Sequence, residues 1–550
     1  MKRGNQQRKL PNKHQNEEGA GGFQNAFDHW RAKCFEVESF VNRERSLTHV
    51  VRFALFIQPV SLYDSTTGLH TPPAIEQKAV VPLCVDLDGT LLRTDLVWES
   101  LVLLLKQNPF YVFLVVIWWT HGRAHLKSEI AARVHVDVTA LPYNQPLIDF
   151  LRAEKRESRT IVLATASDSL LAQRIANHLG LFDEVLASDG KTNLRGKNKA
   201  ALLTAKFGLR GFDYAGNSTV DLPVWEPARQ AIVVSGGPRL AAQAGQRTTV
   251  SRVFEQGQPF FLALIRVLRP HQWIKNLIVF VPLLTAQKLL QAPFLAQALQ
   301  AVVAFSLCAS AVYVLNDLLD LEADRHHPTK HLRPFASGDL PLPAGLILFP
   351  LLFGASAIIA WQLPTGFRVV LGVYVLLTTS YSLRLKEIPL LDVFCLAALY
   401  TVRLIAGHEA AQVKYSFWLL VFSMFIFLSL ALVKRFIELM YIRQQSKPEI
   451  RGRGYAADDL EIVATLGSSS GFLAVLVLAL YVHSPEVGDL YKNPMLLLLI
   501  CPLLLYWISR VWMLAHRGRM HGDPIVFALK DRVSYVVGAL TLLVLWLATG

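Results

Sequence analysis

The chain has 550 residues, of which 52% are hydrophobic and 18% are charged. It is therefore too long for one domain and too apolar for an ordinary soluble enzyme. The formal net charge of +13 could indicate a nucleic-acid-binding protein. However, the basic residues form no continuous patch, and many lie in short loops between apolar runs, as in membrane proteins. We therefore expect membrane lipids as partners and no nucleic acid.

Residues 1–78 show no strong pattern of hydrophobicity. This region starts with a polar, basic stretch that lacks the features of a signal peptide, and it is predicted to be a basic, disordered tail. Residues 79–240 alternate short β-branched runs with helical stretches, which is typical of an α/β domain. The candidate strands are Val80–Val85, Thr160–Ala164 and Ala231–Ser235.

Between the first two candidate strands lies the apolar segment Phe110–Trp119. It is too short to cross a bilayer, so we predict a cap helix that is either buried or at the membrane interface. Residues 241–261, in a stretch rich in Gly and Gln, are predicted to be a linker. They lead to the strongly apolar region 262–550.

Residues 262–550 contain about nine apolar runs long enough to span a bilayer, which predicts an all-α polytopic membrane domain. The loops on one side carry far more Lys and Arg than those on the other. The positive-inside rule therefore places the first set of loops, the soluble domain and the N-terminus on the cytoplasmic side of the cell inner membrane. The approximate cores of the runs are Ile274–Leu290, Phe294–Leu315, Leu346–Leu363, Val369–Leu383, Leu390–Ala406, Phe417–Val433, Val463–Val482, Met495–Ala515 and Val533–Ala548.

An acidic motif begins where the apolar run Phe294–Leu315 ends, at the point where a membrane helix reaches water. Asp317, Asp320 and Asp324 recur at the spacing of one helical face. Carboxylates are the ligands that Mg²⁺ prefers, and the basic residues that follow can bind phosphate. Because charge is costly in this position, the motif predicts a functional site for a pyrophosphate bridged by metal. The basic residues that follow are Arg325, Lys330 and Arg333.

The run Asn316-Asp317-x-x-Asp320-x-x-x-Asp324 resembles the signature of the UbiA superfamily of intramembrane prenyltransferases, which fold as nine helices around a central cavity. Its continuation to Arg333 is similar to the decaprenyl-phosphate phosphoribosyltransferase branch. Members of that branch transfer 5-phosphoribosyl from phosphoribosyl pyrophosphate to a polyprenyl phosphate and release pyrophosphate. The resemblance implies that the three aspartates are catalytic and hold Mg²⁺. The implied substrate-binding and phosphate-binding residues are Lys275, Asn316, Arg325, Lys330, Arg333, Lys386 and Asp392.

The acidic motif by itself also fits a second reaction, in which a polyprenyl group moves from its diphosphate to an aromatic or other acceptor. Two features favour the phosphoribosyl reaction. The basic residues supply more positive charge than one diphosphate needs, and only Asp392 stands where many aromatic prenyltransferases carry a second aspartate cluster. A third alternative is a non-catalytic lipid-binding or transport protein. Arg403 lies on the same helical face as Asp392. It could either form a buried ion pair with Asp392 or contact a substrate, and the sequence does not distinguish these two roles.

The segment Val85-Asp86-Leu87-Asp88-Gly89-Thr90 follows an apolar strand and resembles the first motif of the haloacid dehalogenase-like phosphatases, which have a Rossmann-like α/β fold with a cap. The resemblance implies that Asp86 is the nucleophile and Asp88 the general acid and base. It also implies that Thr165 and Lys199 bind the phosphoryl group, with Lys197 as the alternative to Lys199. The implied Mg²⁺ ligands of this domain are Asp86, Asp88 and Asp221.

The last motif of that family often reads Gly-Asp-x-x-x-Asp, whereas this chain has asparagine at the second position, in Gly216–Asp221. Asn217 keeps an oxygen ligand but lacks a negative charge, which should weaken Mg²⁺ binding. The domain is therefore either a working phosphatase or a degenerate or regulatory one. Because both domains share one chain and one membrane side, we hypothesise that a working phosphatase removes the 5-phosphate of the lipid product.

Overall fold

The computed structural model describes residues 81–189, 192–234, 237–255, 257–444, 453–488, 490–520 and 522–549. The predicted disordered tail, residues 1–78, lies outside these residues. Within them, an α/β domain precedes a helical membrane domain, as the sequence predicts.

The α/β domain is built on six strands, β1 (Leu83–Val85), β2 (Ile161–Asp168), β3 (Glu184–Ser188), β4 (Asp213–Gly216), β5 (Gln230–Val234) and β6 (Thr249–Phe254). All neighbours are parallel, in the order β3-β2-β1-β4-β5-β6. The central strand β1 is entirely buried, because a parallel sheet is covered on both faces and its inner strands must be apolar on both sides. The carboxyl ends of β1 and β4 lie side by side at the switch in strand order, where α/β proteins usually bind ligands.

Helices surround this sheet, and three of them form the predicted cap between β1 and β2. The cap helices α1, α2 and α3 pack against one another. Asp95 begins α1, because its side chain accepts the backbone N–H of Val97 at 2.9 Å and so caps the helix. The helices are α1 (Leu96–Gln107), α2 (Tyr111–Thr120), α3 (Arg123–Ala131), α4 (Gln145–Arg156), α5 (Ser169–Leu179), α6 (Lys197–Phe207) and α7 (Gly237–Gly245).

The predicted linker, residues 241–261, is not a linker over most of its length. It contains the end of α7 and the whole of β6, which pairs with β5 as the outermost strand of the sheet. Most side chains of β6 are exposed, so its sequence lacks the continuous apolar run that identifies an inner strand. The α/β domain therefore extends to Phe254, and only a few residues connect it to the membrane domain.

The membrane domain begins with α8 (Phe260–Leu268). Among the described residues, eight helices are long and apolar enough to cross a membrane. These are α9 (Ala292–Leu319), α10 (Leu342–Trp361), α11 (Thr365–Leu383), α12 (Leu391–Ala411), α13 (Phe417–Gln444), α14 (Ala457–Val482), α15 (Pro494–His516) and α16 (Arg532–Thr549).

The predicted span Ile274–Leu290 is instead broken into short pieces. A 3-10 turn covers Ile274–Phe280, and a short α-helix, Val281–Thr285, follows it. The break has a covalent cause, because Pro282 has no N–H to donate to the carbonyl one turn earlier and its ring crowds that carbonyl. The polar residues Lys275 and Asn276 therefore lie on this broken segment and are not part of a regular membrane helix.

The two domains are in direct contact, because α1 packs on α9 and α10. Val102 of α1 is buried in one apolar cluster with Val314 and Leu318 of α9. Beside this cluster, Arg325 and Glu99 form an ion pair 2.6 Å long, with side chains only 7% and 2% exposed. A buried charge without its partner is strongly destabilising, so this pair ties the position of the cap to the segment that carries the acidic motif.

Candidate active sites

A cavity of about 490 Å³ opens among the ends of the membrane helices, beside the acidic motif. Its walls come from α9, α11, α12 and α13 and from the loop before α16. It brings together side chains that are far apart in the sequence, among them seven of those predicted to bind metal or phosphate. These seven are Lys275, Asn316, Asp317, Asp320, Lys330, Arg333 and Lys386.

Two of the predicted metal ligands, Asp317 and Asp324, converge on one point at the edge of this cavity. The Nη1 atom of Arg333 lies 3.0 Å from Asp317 Oδ1 and 2.5 Å from Asp324 Oδ2. Arg269 Nη2 lies 2.5 Å from the same oxygen of Asp317. Carboxylates that share one cation are close enough to share a divalent ion, and their oxygens are the hard donors that Mg²⁺ prefers. The residues present therefore fit Mg²⁺, with two arginines beside them to bind phosphate.

The third aspartate of the motif, Asp320, occupies a kink. Its backbone departs from helical angles between the end of α9 and the short helix Leu321–His326. Asp320 is 40% exposed, whereas Asp317 is 3% exposed, and Lys386 Nζ lies 3.8 Å from the Asp320 Oδ2 atom. Asp317 and Asp324 therefore lie close together through Arg333, whereas the kink turns Asp320 toward Lys386 in the loop after α11.

The cavity is strongly electropositive, because twice as many basic as acidic side chains line it. Such an excess of Lys and Arg suits a ligand that carries several phosphate groups. The acidic residues are Asp317, Asp320, Glu438 and Asp523, and the basic residues are Arg269, Lys275, Lys330, Arg333, Lys386, Arg403, Lys434 and Arg453.

Two residues predicted to bind substrate, Arg325 and Asp392, do not line the cavity. Arg325 turns toward the α/β domain and donates to both carboxylate oxygens of Glu99, at 2.6 and 3.1 Å. Asp392 is fully buried, pairs with Arg435 and accepts a hydrogen bond of 2.6 Å from the Tyr455 hydroxyl. The structure corrects the prediction that Arg325 and Asp392 bind substrate, because each forms an ion pair with a residue from a distant segment of the chain. Arg325 joins the two domains, and Asp392 holds membrane helices together.

Replacing Asp392 with alanine should therefore destabilise the protein. The Arg435 side chain is 0% exposed, and removing Asp392 leaves this buried charge with Glu438 as its remaining carboxylate partner. The loss of one partner of a buried ion pair should cost at most about 3–5 kcal/mol. The drop should appear as a lower melting temperature of the purified protein in detergent. Asp458→Ala, at an exposed position in the first turn of α14, is the matched control and should melt like the wild type. Unchanged stability with a raised KM would instead mean that Asp392 contacts substrate.

Several charged residues around the cavity were not predicted as site residues, among them Arg269, Arg403 and Asp523. Arg403 does not pair with Asp392; its Nε atom donates to Asn276 Oδ1 at 2.8 Å. Asp523 accepts from Lys275 Nζ at 2.5 Å. The charge of Arg403 inside an apolar helix was a usable sign of function. Asp523 carried no such sign, because it lies in a charged loop far along the chain.

The α/β domain has its own cavity, of about 700 Å³, at the carboxyl ends of β1 and β4. Asp86, directly after β1, accepts a hydrogen bond of 2.7 Å from Lys199 Nζ. Asp88 accepts from the backbone N–H of Leu96 at 2.9 Å and from the hydroxyl of Ser167 at 2.5 Å. Three of these residues, Asp86, Asp88 and Lys199, were predicted from motifs. Ser167 was missed, because a serine after a strand is too common to single out.

The two aspartates of this cavity have unusual acidities. Burial raises the pKa of Asp86 to about 7, although the charge of Lys199 opposes the shift. Burial, followed by repulsion from Asp95, raises the pKa of Asp88 to about 6. A carboxyl group with a pKa near neutrality can hold a proton and release it, as a general acid and base must.

Asp221 and Thr165 lie close to these aspartates but already have partners. Asp221 Oδ2 accepts the backbone N–H groups of Asn217 and Ser218, both at 3.0 Å, so this carboxylate organises the turn after β4. Thr165 is buried, does not line the cavity, and accepts the backbone N–H of Ser167 at 3.0 Å. Its hydroxyl therefore orders the segment that carries Ser167.

Asn217, the departure from the family motif, lies directly against the first motif. A Cβ atom added to Gly89 would come within 2.1 Å of the Asn217 amide nitrogen, and Gly89 has a φ of +72°. Glycine is needed here for both reasons, because other residues rarely adopt this conformation and would clash. The Asn217 side chain thus reaches the backbone directly after Asp88. Among the described residues, its amide oxygen and the Asp86 carboxylate are oxygen donors that suit Mg²⁺ in this cavity.

The structure combines polytopic helices around an electropositive cavity with an aspartate-centred cavity on a parallel sheet. This combination defines an integral membrane enzyme with a hydrolase-like domain on the same chain. The chain belongs to the UbiA prenyltransferase family. Residues 277–548 match the model of that family, and residues 83–226 match the model of the haloacid dehalogenase-like hydrolases.

Three relatives extend this comparison. The uncharacterized protein y4nM of Sinorhizobium fredii is 36% identical over 466 residues, which cover 84% of this chain and 89% of that protein. The nodulation protein NoeC of Azorhizobium caulinodans is 37% identical over 50% of this chain and 90% of its own length. The decaprenyl-phosphate phosphoribosyltransferase of Mycolicibacterium smegmatis is 33% identical over 50% of this chain and 88% of its own length.

Proposed function

We propose that the membrane domain transfers 5-phosphoribosyl from phosphoribosyl pyrophosphate to a polyprenyl phosphate and releases pyrophosphate. The observation that carries this proposal is the excess of basic over acidic side chains around Asp317 and Asp320. A polyprenyl diphosphate brings one diphosphate group to such a cavity. The proposed substrates bring a diphosphate, a sugar phosphate and a lipid phosphate, and so engage more cations. The similarity to relatives named decaprenyl-phosphate phosphoribosyltransferase supports the same choice.

In the proposed reaction, an oxygen of the lipid phosphate attacks C1 of the ribose. The bond from C1 to the pyrophosphate oxygen breaks, and its electron pair leaves with pyrophosphate. Asp317, Asp320 and Asp324 would hold Mg²⁺, which supplies positive charge to the leaving pyrophosphate. Arg269 and Arg333 lie beside these acids and would bind phosphate oxygens, so that the ribose is held in line with the attacking oxygen.

An assay in lipid nanodiscs tests this proposal and its alternatives. The protein is supplied with Mg²⁺, a polyprenyl phosphate and phosphoribosyl pyrophosphate labelled in the ribose. We expect label in the lipid fraction and an equal amount of pyrophosphate. Label transferred only from a prenyl diphosphate to an aromatic acceptor would replace the proposal with prenyl transfer. Consumption of neither donor would favour a lipid-binding or transport protein.

We infer that both cavities face the cytoplasm and that the protein resides in the cell inner membrane. The loops richest in Lys and Arg include residues 317–344, which carry the acidic motif and lie beside the α/β domain. The positive-inside rule puts such loops in the cytoplasm. Protease added to spheroplasts should leave the α/β domain intact until the membrane is permeabilised, and cleavage before that would reverse the orientation.

We propose that the α/β domain is a working phosphatase with Asp86 as nucleophile and Asp88 as general acid and base. The support is the close contact of Asp86 with Lys199, at 2.7 Å, and the pKa of Asp88, which burial and Asp95 raise to about 6. A lysine in that position can neutralise a phosphoryl group, and a carboxyl group of that acidity can protonate the leaving oxygen.

Asn217→Asp should strengthen the Mg²⁺ requirement of this phosphatase. The substitution adds a negative charge next to Gly89, the residue directly after the proposed catalytic Asp88. We expect the Mg²⁺ concentration for half-maximal phosphatase activity to fall roughly tenfold, because affinity rises with the charge of the ligand set. The control is Asn177→Asp, an exposed position on α5. An unchanged Mg²⁺ dependence in Asn217→Asp would exclude residue 217 from the metal site.

A further inference from the structure

The cap helix α2 exposes an unusually apolar surface. It contains no charged residue, and the most exposed side chains on it and its N-cap are Phe110, Phe113 and Trp119, at 74%, 67% and 62%. Its only buried residue is Trp118. The alternative of a buried cap helix is therefore excluded. A soluble domain rarely leaves a patch of this kind in water, and such patches mark contacts with partners or membranes.

The same helix forms a wall of the phosphatase cavity. Val115, Val116 and Trp119 line this cavity, and Trp98 and Leu101 of α1 continue the wall. The polar end of the cavity holds Asp86 and Lys199, so the site is amphipathic. Because Val116 and Trp119 belong to both the exposed surface and the cavity, the apolar surface of α2 runs without a break into the active site.

The helix that precedes α2 is in contact with the membrane helices. α1, which leads into α2, packs on α9 and α10 through Val102. A second cavity, of about 510 Å³, touches Asp88 and Asn217 on one side and the start of α10, at Pro341 and Leu342, on the other. The cap and the mouth of the phosphatase site therefore lie beside helices that cross the bilayer.

We propose that α2 lies in the membrane interface and that the phosphatase site takes a phosphomonoester carried by a membrane lipid. This inference rests on the proposed phosphatase function and names its substrate class. The phosphate of the substrate meets Asp86, and the lipid chain passes along the apolar wall of α2 into the bilayer. A helix rich in aromatic residues, with a strongly apolar outer surface, partitions into the interface between the lipid headgroups and the acyl chains. The lipid-linked phosphoribose proposed for the membrane site belongs to this class.

The chemistry balances without any further reactant. An Asp86 oxygen attacks the phosphorus, the bond from phosphorus to the sugar oxygen breaks, and Asp88 gives its proton to that oxygen. Water then attacks the phosphorus of the phosphoaspartate, the bond from phosphorus to the Asp86 oxygen breaks with its electron pair left on Asp86, and a proton of the water passes to Asp88. This second step releases inorganic phosphate and restores both carboxyl groups, while the dephosphorylated lipid stays in the membrane.

Two matched substrates test the proposal in the full chain. One is synthetic polyprenyl-phosphoryl ribose 5-phosphate in nanodiscs, and the other is the water-soluble analogue with a methyl group in place of the polyprenyl chain. We expect phosphate release with kcat/KM at least about tenfold higher for the lipid. In Phe113→Glu/Ile117→Glu, which changes exposed positions outside the cavity, this advantage should disappear while hydrolysis of the analogue stays unchanged.

Equal rates for both substrates, or an unaltered preference in the double variant, would overturn the inference. Failure of the transferase proposal is separate, because this lipid is supplied ready-made. Photocrosslinking gives a second measurement, with benzoylphenylalanine at position 113 and a labelled lipid. We expect crosslinking similar to that from the exposed Leu351 of α10 and well above that from Leu209, an exposed position of the α/β domain. A yield as low as that from Leu209 would contradict the placement of α2.

Discussion

Asp317→Asn is expected to lower the rate of phosphoribosyl transfer at least about 100-fold, because it removes charge from the centre of the proposed metal site. Asparagine preserves the shape of the side chain, which is 3% exposed. It cannot balance Arg269 and Arg333, which both contact the Asp317 carboxylate. The measurement is the initial rate of labelled lipid formation at saturating substrates over a range of Mg²⁺ concentrations. Higher Mg²⁺ should recover part of the loss.

Glu322→Gln is the matched control for this prediction. Glu322 lies in the same acidic segment but is exposed and does not line the cavity. We expect a rate close to that of the wild type and an unchanged Mg²⁺ dependence. If Asp317→Asn kept the wild-type rate, the acidic motif would not be the catalytic metal site, and the proposal for the membrane cavity would fail.

Asp86→Asn is expected to lower the phosphatase activity roughly 1000-fold or more while leaving phosphoribosyl transfer intact, because an amide cannot replace a carboxylate nucleophile. The wild type should convert phosphoribosyl pyrophosphate into a lipid without the 5-phosphate. The variant should accumulate the lipid that retains it. Mass spectrometry of the extracted lipid distinguishes the two products, and the preserved transferase activity reports that the variant is folded.

The control for Asp86→Asn is Asp149→Asn, an exposed position of α4 whose ion pair with Arg152 contributes little. This control should yield the fully dephosphorylated lipid. A lipid product that retained its 5-phosphate in the wild type and in Asp86→Asn alike would mean that the α/β domain does not act on it. A dephosphorylated product in Asp86→Asn would show that Asp86 is not the nucleophile.

Local sequence patterns were enough to predict three of the six strands, β1, β2 and β5, but not β3 or β4, and β4 leads into the last phosphatase motif. β1 and β5 are buried apolar runs in the middle of the sheet, and a parallel sheet imposes that composition. The sequence predicts a linker where β6 lies, because the side chains of β6 are mostly exposed and form no apolar run. Only the pairing with β5 makes this segment a strand. The predicted membrane span Ile274–Leu290 is wrong for a similar reason, because hydropathy does not register that Pro282 breaks a helix.

The acidic motif itself was predictable, because charged residues at the end of an apolar helix are costly and so indicate a functional site. The sequence therefore predicted a phosphate and metal site at Asp317, Asp320 and Asp324, with Lys330 and Arg333 beside them. It also identified Asp86, Asp88 and Lys199, whose spacing and strand context are specific. Both sets of residues line or border cavities in the folded chain.

Only the tertiary structure decided how those charges are shared. Arg325 follows Asp324 directly in the sequence, yet its partner is Glu99 of the α/β domain. Asp392 is engaged by Arg435 and Tyr455. The energy of an ion pair depends on the distance between its charges in space and is larger where water is excluded. A buried charge is therefore stabilised by the nearest opposite charge, wherever that residue lies in the sequence. Composition and spacing thus determine which residues are charged at the membrane surface, and folding determines which of them stay available to a substrate.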